Sequence, residues 1–469
     1  MNTVFKPPMP SLARYSGAGR LMPGDYWTYF RAMSRNPMEV WGEHHFHLNV
    51  APFRFLGRSS LIINDPDAIQ HCFIGNVANY RMNPMRQAVL RPFLRDGLLT
   101  AEGEIWKTAR KAVSPVFTPR KVNAFAPQIL KVCEAARDSF LAVDGRVISA
   151  TDAMVNLTLN VLIETLFSCD EALDKARFNK GICDLIEISG IPHLFDLLHM
   201  PGWVPRIGHG ASNRVIRDLR EQVGELAALR RSQPLPEQAG RPADFLDLLL
   251  GAGLDDTAVV DNLLTFLAAG HETTARTLTW TLYLLSQSPD ILAEVEQELD
   301  TAELDRGAPE TWMDALPWTM AVIKESLRLY PSAPVLARSS INDDVVGGVP
   351  IPAKTDVLVS TWLLHRHRDL WPEADDFRPQ RFLGEAGETI NRFAYLPFGI
   401  GPRVCIGARF AMMEMAIVLA VLLRDLRFQF AGHRHPLPVM RITLQPDIDV
   451  PMKVSHRPRG IETPAAAAR

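Results

Sequence analysis

The 469-residue chain has no apolar run close to the roughly 20 residues that a membrane-crossing helix needs. Residues 1–30 also lack the basic start and short apolar stretch of a secretory signal. They read as an N-terminal segment without a membrane anchor, on a cytoplasmic protein. Cysteine is scarce, with five scattered residues (Cys72, Cys133, Cys169, Cys183 and Cys405). An odd number with no Cys-x-x-Cys spacing argues against a disulfide framework or a zinc knuckle, and suits a reducing compartment. A surplus of one charge is missing too: 50 basic against 53 acidic residues give a net −3, which argues against nucleic acid as a partner. No internal repeat, charge run or Pro/Gly/Ser linker divides the chain, although its length alone would suggest two or three domains. The Pro-containing stretch 232–242 reads as a loop between helices, and 456–469, ending in an alanine run, as a flexible tail. Helical periodicity dominates from about 120 to 330, and strand-like runs appear near 52–63 and 333–360. The expected fold is one mainly α unit over 31–455 with small β-sheets, an α+β arrangement with a sheet-rich lobe.

What is present concentrates near the C-terminus, in Phe398-Gly-Ile-Gly401-Pro-Arg403-Val-Cys405-Ile-Gly407. One cysteine stands in a loop of small residues, with an arginine two positions before it and an apolar helical pattern from Ala408 to Leu423 after it. A thiolate needs nearby positive charge, N–H donors and an apolar shield. Arg403, the loop backbone and Phe398 are placed to supply them. The helix that follows adds the favourable end of its dipole. Gly401 and Gly407 would let the backbone approach whatever the sulfur binds. Such a cysteine fits a single thiolate ligand to haem iron.

Three further patterns precede it. Glu325-Ser-Leu-Arg328 places opposite charges on one helix face, in a segment rich in Met, Val, Ile and Leu, about fifty residues before Pro379-Gln-Arg381-Phe382. Asp255-Asp256 offers a helix cap, and the apolar pattern then runs to Ser286, with a new start at Ser288-Pro289-Asp290. About thirty residues at 1.5 Å rise span roughly 45 Å, enough to cross a domain. Mid-helix lies Ala269-Gly270-His271-Glu272-Thr273-Thr274. Gly270 and Ala269 leave room beside the helix, Glu272 can relay protons, and Thr273 can turn its hydroxyl on the preceding turn or away from it. Trp106-Lys-Thr-Ala-Arg110 puts an indole N–H and a guanidinium one turn apart, an arrangement suited to a buried carboxylate.

The pattern Phe398-x-x-Gly401-x-x-x-Cys405-x-Gly407 matches the haem-binding signature of the cytochrome P450 family, and the other three follow its order over about residues 60 to 450. The chain thus resembles a soluble bacterial-type member, although its helical motifs are similar to the branch that includes eukaryotic and fatty-acid-hydroxylating enzymes. The resemblance implies the cytochrome P450 fold with a long helix over the distal haem face. It implies haem b (iron protoporphyrin IX) on Cys405, with Trp106, Arg110, Arg338 and Arg403 on the propionates and Ala269, Gly270, Phe398 and Gly407 around the ring. Glu325, Arg328 and Arg381 would lock together beneath the loop, and Glu272 and Thr273 would deliver protons during oxygen activation. Lys111 stands where many relatives have a second arginine, and Gln380 where many have an acid. The implied reaction is monooxygenation: one atom of O2 enters a hydrophobic small molecule, a fatty acid, terpenoid or similar. A peroxide-driven hydroxylase or a haem-thiolate isomerase is the alternative. Such relatives tend to lose the acid–threonine pair. A haem sensor would bring a partner domain, and none is apparent.

Electrons would come from NAD(P)H through a reductase and a separate ferredoxin or flavodoxin, since only about sixty residues follow the cysteine loop. Lys107, Lys111, Arg120, Lys121 and Arg409 are candidate docking charges on a protein expected to be a monomer. The segments matching the family's substrate pocket contribute Leu90, Phe93 and Leu94, then Phe266 and Ala268, then Ala333 and Val335. They are mostly apolar, so the ligand should be too. Arg86, Arg91 and Arg95 could catch a fatty-acid carboxylate at the mouth, or simply face water.

Overall fold

Capping residues set where the helices begin. Asp255 accepts the N–H of Ala258 (2.7 Å) and starts the long helix Asp256–Ser286. Asn83 accepts from Met85 and Arg86 and starts Pro84–Leu94. Helix Pro317–Leu329 has no cap of its own. Glu298, on the neighbouring helix Pro289–Thr301, accepts from Trp318 N–H (2.6 Å) and Thr319 N–H (2.9 Å) instead. A free carboxylate thus satisfies orphan donors at the positive end of a helix dipole.

The computed structural model describes residues 4–12, 24–55, 58–168, 177–178, 180–181, 209–239 and 242–457. Cys169, Cys183, part of the 232–242 loop, part of 1–30 and the C-terminal tail from residue 458 lie outside the described residues. The fold is mainly helical with small sheets, as the periodicity indicates. The long helix packs along Ala150–Phe167 and against Pro317–Leu329, and Ala408–Asp425 packs on Ala126–Leu141. Their apolar faces form one large core. Trp280 of the long helix stacks on Tyr330 with ring centroids 3.8 Å apart. Cys72 and Cys133 are buried in the core, unlike Cys405. Among the described residues no helix is long and apolar enough to cross a membrane.

The sheet lobe holds five strands in the order Val50–Phe55, Arg58–Ile63, Asp356–Ser360, Val335–Ser340 and Tyr80–Met82. Neighbours are antiparallel except for the parallel pair in second and third place. Shorter strands that periodicity does not reveal join Val147–Ser149 and Leu426–Phe430 to Pro451–His456, and Pro438–Met440 to Leu444–Pro446.

Asp344 ties the lobe together. Its carboxylate accepts from Tyr80 OH (2.7 Å), Asn76 Nδ2 (3.0 Å), His71 Nε2 (3.0 Å) and Val345 N–H (2.8 Å). Burial alone would raise its pKa, but these donors bring it down to about 2. A depressed carboxylate pKa contributes stability above the unfolded value of 3.8, and that contribution is lost as pH falls toward 2. Asp344→Asn should therefore lower stability at pH 7 by about 1–2 kcal/mol. Denaturation of variant and parent should converge as pH drops below 4, whereas a constant difference across pH would refute this assignment.

Candidate active site

The cysteine loop turns on two glycines in the left-handed region, Gly399 (φ 73°) and Gly401 (φ 74°). Cys405 N–H donates to Phe398 O (2.9 Å) and Val404 N–H to Gly401 O (3.0 Å), closing the turn. A Cβ on Gly401 would collide with the carbonyl oxygen of Phe73. This glycine thus serves a close backbone approach to Phe73, a role the sequence does not indicate. Gly407 caps helix Ala408–Asp425 and aims its N–H at the sulfur.

Beneath the loop, Arg328 is fully buried and all five of its N–H donors are used. Two meet the Glu325 carboxylate (2.7 and 2.8 Å), and three meet the carbonyls of His365, Ala374 and Asp376. Glu325 also accepts from Arg378 N–H (2.9 Å) and Arg381 Nε (3.2 Å). Arg381 reaches on to the carbonyls of Pro372 and Glu373. Burial, with Arg328 and Arg366 nearby, lowers the His365 pKa to about 3. The neutral ring accepts the N–H of Leu396 (2.8 Å), just before the cysteine loop. Glu325, Arg328 and Arg381 thus form one polar cluster that holds the loop's approach.

A cavity of about 370 Å³ lies between this loop and the long helix. Cys405, Phe398, Gly407, Trp106, Arg110, Arg338, Arg403, Ala269, Gly270, Glu272 and Thr273 all border it. Cys405 is exposed on the cavity wall, yet so surrounded that burial pushes its thiol up, opposed by Gly407 N–H and Arg110. Thr273 donates its hydroxyl back to Ala269 O (2.8 Å), and Thr274 does the same to Gly270 O (3.0 Å). A Cβ on Gly270 would press on Leu162 at 3.3 Å, so its smallness also serves helix packing. Glu272 is buried and accepts from Thr443 Oγ1 (2.9 Å) and Arg276 Nη2 (3.4 Å).

Of the apolar pocket residues expected from sequence, Leu90, Phe93, Leu94, Phe266, Ala268 and Ala333 line the cavity. Val335 does not. Side chains alternate along strand Val335–Ser340, so Arg338 and Leu336 share the cavity face and Val335 points elsewhere. The three arginines read as a carboxylate trap also separate. Arg91 is exposed and paired with Asp96 (2.9 Å), and Arg95 is exposed. Arg86 lines the cavity, within electrostatic reach of Arg338 and Arg403. Nothing in helix periodicity tells which way a first-turn arginine faces.

Burial and the neighbouring Arg86 and Arg403 bring Arg338 down to about 10. Burial likewise takes Arg403 to about 10, with Glu102 opposing and Arg86 and Arg110 adding to the fall. Among the described residues Arg86, Arg110, Arg338 and Arg403 form no ion pair, and Arg403 Nη1 is buried without a hydrogen-bond partner. Arg403 instead stacks over Trp106 (4.3 Å). Four guanidinium groups beside a cavity, with Glu102 the nearby opposing charge, need a polyanion to be at ease. A flat apolar group with two carboxylates, ligated by the sulfur, fits that donor set.

The cytochrome P450 family model matches residues 34–449. The chain belongs to the cytochrome P450 family. The family implies haem, and relatives named as monooxygenases place this cytochrome P450 among the monooxygenases. Cyclooctat-9-en-7-ol 5-monooxygenase of Streptomyces melanosporofaciens is 34% identical over 71% of this chain and 72% of its own length. Protein LUTEIN DEFICIENT 5, chloroplastic, of Arabidopsis thaliana is 30% identical over 87% and 72%. A crystal structure of the cytochrome P450DA heme domain superimposes with a TM-score of 0.79, covering 97% of this chain and 98% of that one at 24% identity. This last likeness shows the fold.

Arg328→Lys would replace five donors in a fixed fork by three, leaving buried carbonyls unpaired. The expected cost is about 3–5 kcal/mol, read as a lower denaturation midpoint and little haem per chain after purification. A variant with parental stability and full haem content would show that the cluster does not hold the loop.

Proposed function

We propose that this cytochrome P450 hydroxylates a neutral hydrophobic molecule, and the observation that carries the reading is the fate of the three candidate arginines. Arg91 and Arg95 lie away from the cavity, and Arg86 joins the cationic cluster beside Arg338 and Arg403. Among the described residues, no cation outside that cluster lines the cavity to receive a substrate carboxylate beside Leu90, Phe93, Leu94, Phe266 and Ala333. The Streptomyces relative, whose name gives a cyclic alcohol as substrate, supports the same reading. A terpenoid-like alcohol is favoured over a fatty acid.

Haem held on Cys405 supplies the oxidising chemistry that activates O2. Arg86, Arg110, Arg338, Arg403 and Trp106 bind its propionates, relieving their own crowding. Gly407 N–H and Arg110 favour loss of the Cys405 proton, against burial. Phe398 shields the sulfur. Leu90, Phe93, Leu94 and Phe266 exclude water and orient the substrate. Glu272 carries protons on its carboxylate, and Thr273 passes them from its hydroxyl when it leaves Ala269 O.

Electrons come from NAD(P)H through a reductase and a separate ferredoxin or flavodoxin. Lys111, Arg120 and Arg409 are exposed near the cysteine loop and form the docking charge, whereas Lys107 is paired with Glu104 and Lys121 is half-buried. The chain works in the cytoplasm as a monomer, with 31–455 as its haem domain.

Optical titration of the ferric protein tests the substrate class. Neutral cyclic alcohols should give a saturable shift of the Soret band to shorter wavelength. A shift that instead peaks at one fatty-acid chain length, and weakens in Arg91→Ala or Arg95→Ala, would restore the fatty-acid reading. Thr273→Ala should keep the haem spectrum but divert electrons from product to peroxide several-fold more than the parent. Equal coupling in that variant would remove Thr273 from proton delivery.

A further inference from the structure

The carboxylate of Glu272 is not held by its own helix alone. One oxygen, Oε1, accepts from Arg276 Nη2 (3.4 Å) one turn along and, at closer range, from Thr443 Oγ1 (2.9 Å), 171 positions away in sequence. Among the described residues its other oxygen has no hydrogen-bond partner, and Glu272 borders the cavity. Thr443 is buried, so its hydroxyl and this carboxylate are fixed partners rather than a surface encounter.

The strand pair that carries Thr443 is anchored on several sides. Pro438–Met440 and Leu444–Pro446 pair antiparallel, and Arg441 N–H donates to Thr443 O (2.9 Å) across the tip. Asn36 accepts from Met440 N–H (3.1 Å) and donates to Pro438 O (3.0 Å). Trp280 Nε1 donates to Leu444 O (3.3 Å), and Leu444 N–H donates to Ser332 O (3.2 Å). Ser332 Oγ in turn donates to Thr273 O (3.0 Å) and shares a hydrogen bond with Thr277 Oγ1 (2.8 Å). The tip is therefore braced on the same helical turns that carry Glu272 and Thr273, and Thr443 can vary little in distance from the acid.

From this geometry we infer that Thr443 is the positioning residue for Glu272. Its O–H donates to Oε1 and holds the side chain so that Oε2 takes up and releases the proton. The hydroxyl itself never leaves its partner. Without it, Glu272 retains the longer contact to Arg276 and swings toward that guanidinium, away from Thr273. This rests on Glu272 as proton carrier, so the test keeps the two apart.

Thr443→Val, Thr443→Ser and Glu272→Gln are compared as haem-loaded proteins. Electrons lost to peroxide are measured across pH, and the infrared carboxylate band of Glu272, identified by its loss in Glu272→Gln, is recorded without turnover. Thr443→Val should raise peroxide loss several-fold, displace the pH profile and move the band. Thr443→Ser, which keeps the hydroxyl, should restore all three. If Glu272→Gln uncouples but Thr443→Val leaves coupling and band unchanged, the positioning role is overturned. If Glu272→Gln stays fully coupled, the proton-carrier reading falls, and the role of Thr443 with it.

Discussion

The site depends on a buried ion pair placed far from any reacting atom. Burying Glu325 and Arg328 is costly, and such a pair repays its desolvation only when every remaining donor and acceptor is met. Here they are met by the chain that leads to the cysteine loop: the carbonyls of His365, Ala374 and Asp376 on one side, and Arg378 N–H and Arg381 on the other. An apolar pair of similar volume could pack as well but could not fix a non-repetitive segment, because apolar contact has no direction. The directionality of ten or so hydrogen bonds, rather than their summed strength, is what makes an irregular stretch keep one path. Tyr395 OH on Lys324 O and Leu396 N–H on His365 extend the same constraint to the residue before Pro397.

Above the loop, two electrostatic environments share one cavity. One end gathers Arg86, Arg110, Arg338 and Arg403, each destabilised by burial, with Arg338 and Arg403 lowered further by arginine neighbours. The other end is walled by Leu90, Phe93, Leu94, Phe266 and Ala333. A bound group with a charged edge and an apolar face satisfies both at once and has one orientation, since reversing it would place carboxylates among leucines.

Much of this was legible in the sequence because local chemistry carries it. The long helix has a cap and an uninterrupted apolar pattern, the cysteine lies in a glycine-containing turn before a helix, and Glu325-x-x-Arg328 sits where a lone charge could not survive. Tertiary relations were not legible. Val335 and Leu336 are equally apolar, and only the strand's pleat selects Leu336. Arg86, Arg91 and Arg95 look alike in sequence, but Asn83 starts a helix whose turns send the first toward the cavity and the second toward Asp96. Gly401 answers to Phe73 O, more than three hundred residues earlier, and no local pattern could reveal that. Thr443 lies on a short hairpin whose pairing leaves little trace in periodicity.

The demands on the distal helix conflict, and its threonines show how the conflict is met. A dry cavity protects the reaction, yet protons must cross it from water. A fixed charged relay on the cavity floor would make the site wet. Thr273, Thr274 and Thr277 each return their hydroxyl to the carbonyl four residues back, so the helix hides its polar groups while closed. Glu272, which also borders the cavity, has one carboxylate oxygen held between Arg276 and Thr443. Such back-bonding weakens a helix slightly and lets it bend, and the long helix tolerates this because Ser332 braces it from outside at Thr273 O. These threonine hydroxyls, among them the Thr273 hydroxyl of the proposed proton path, are therefore present but satisfied. Each can be released by a small rotation rather than by opening the cavity.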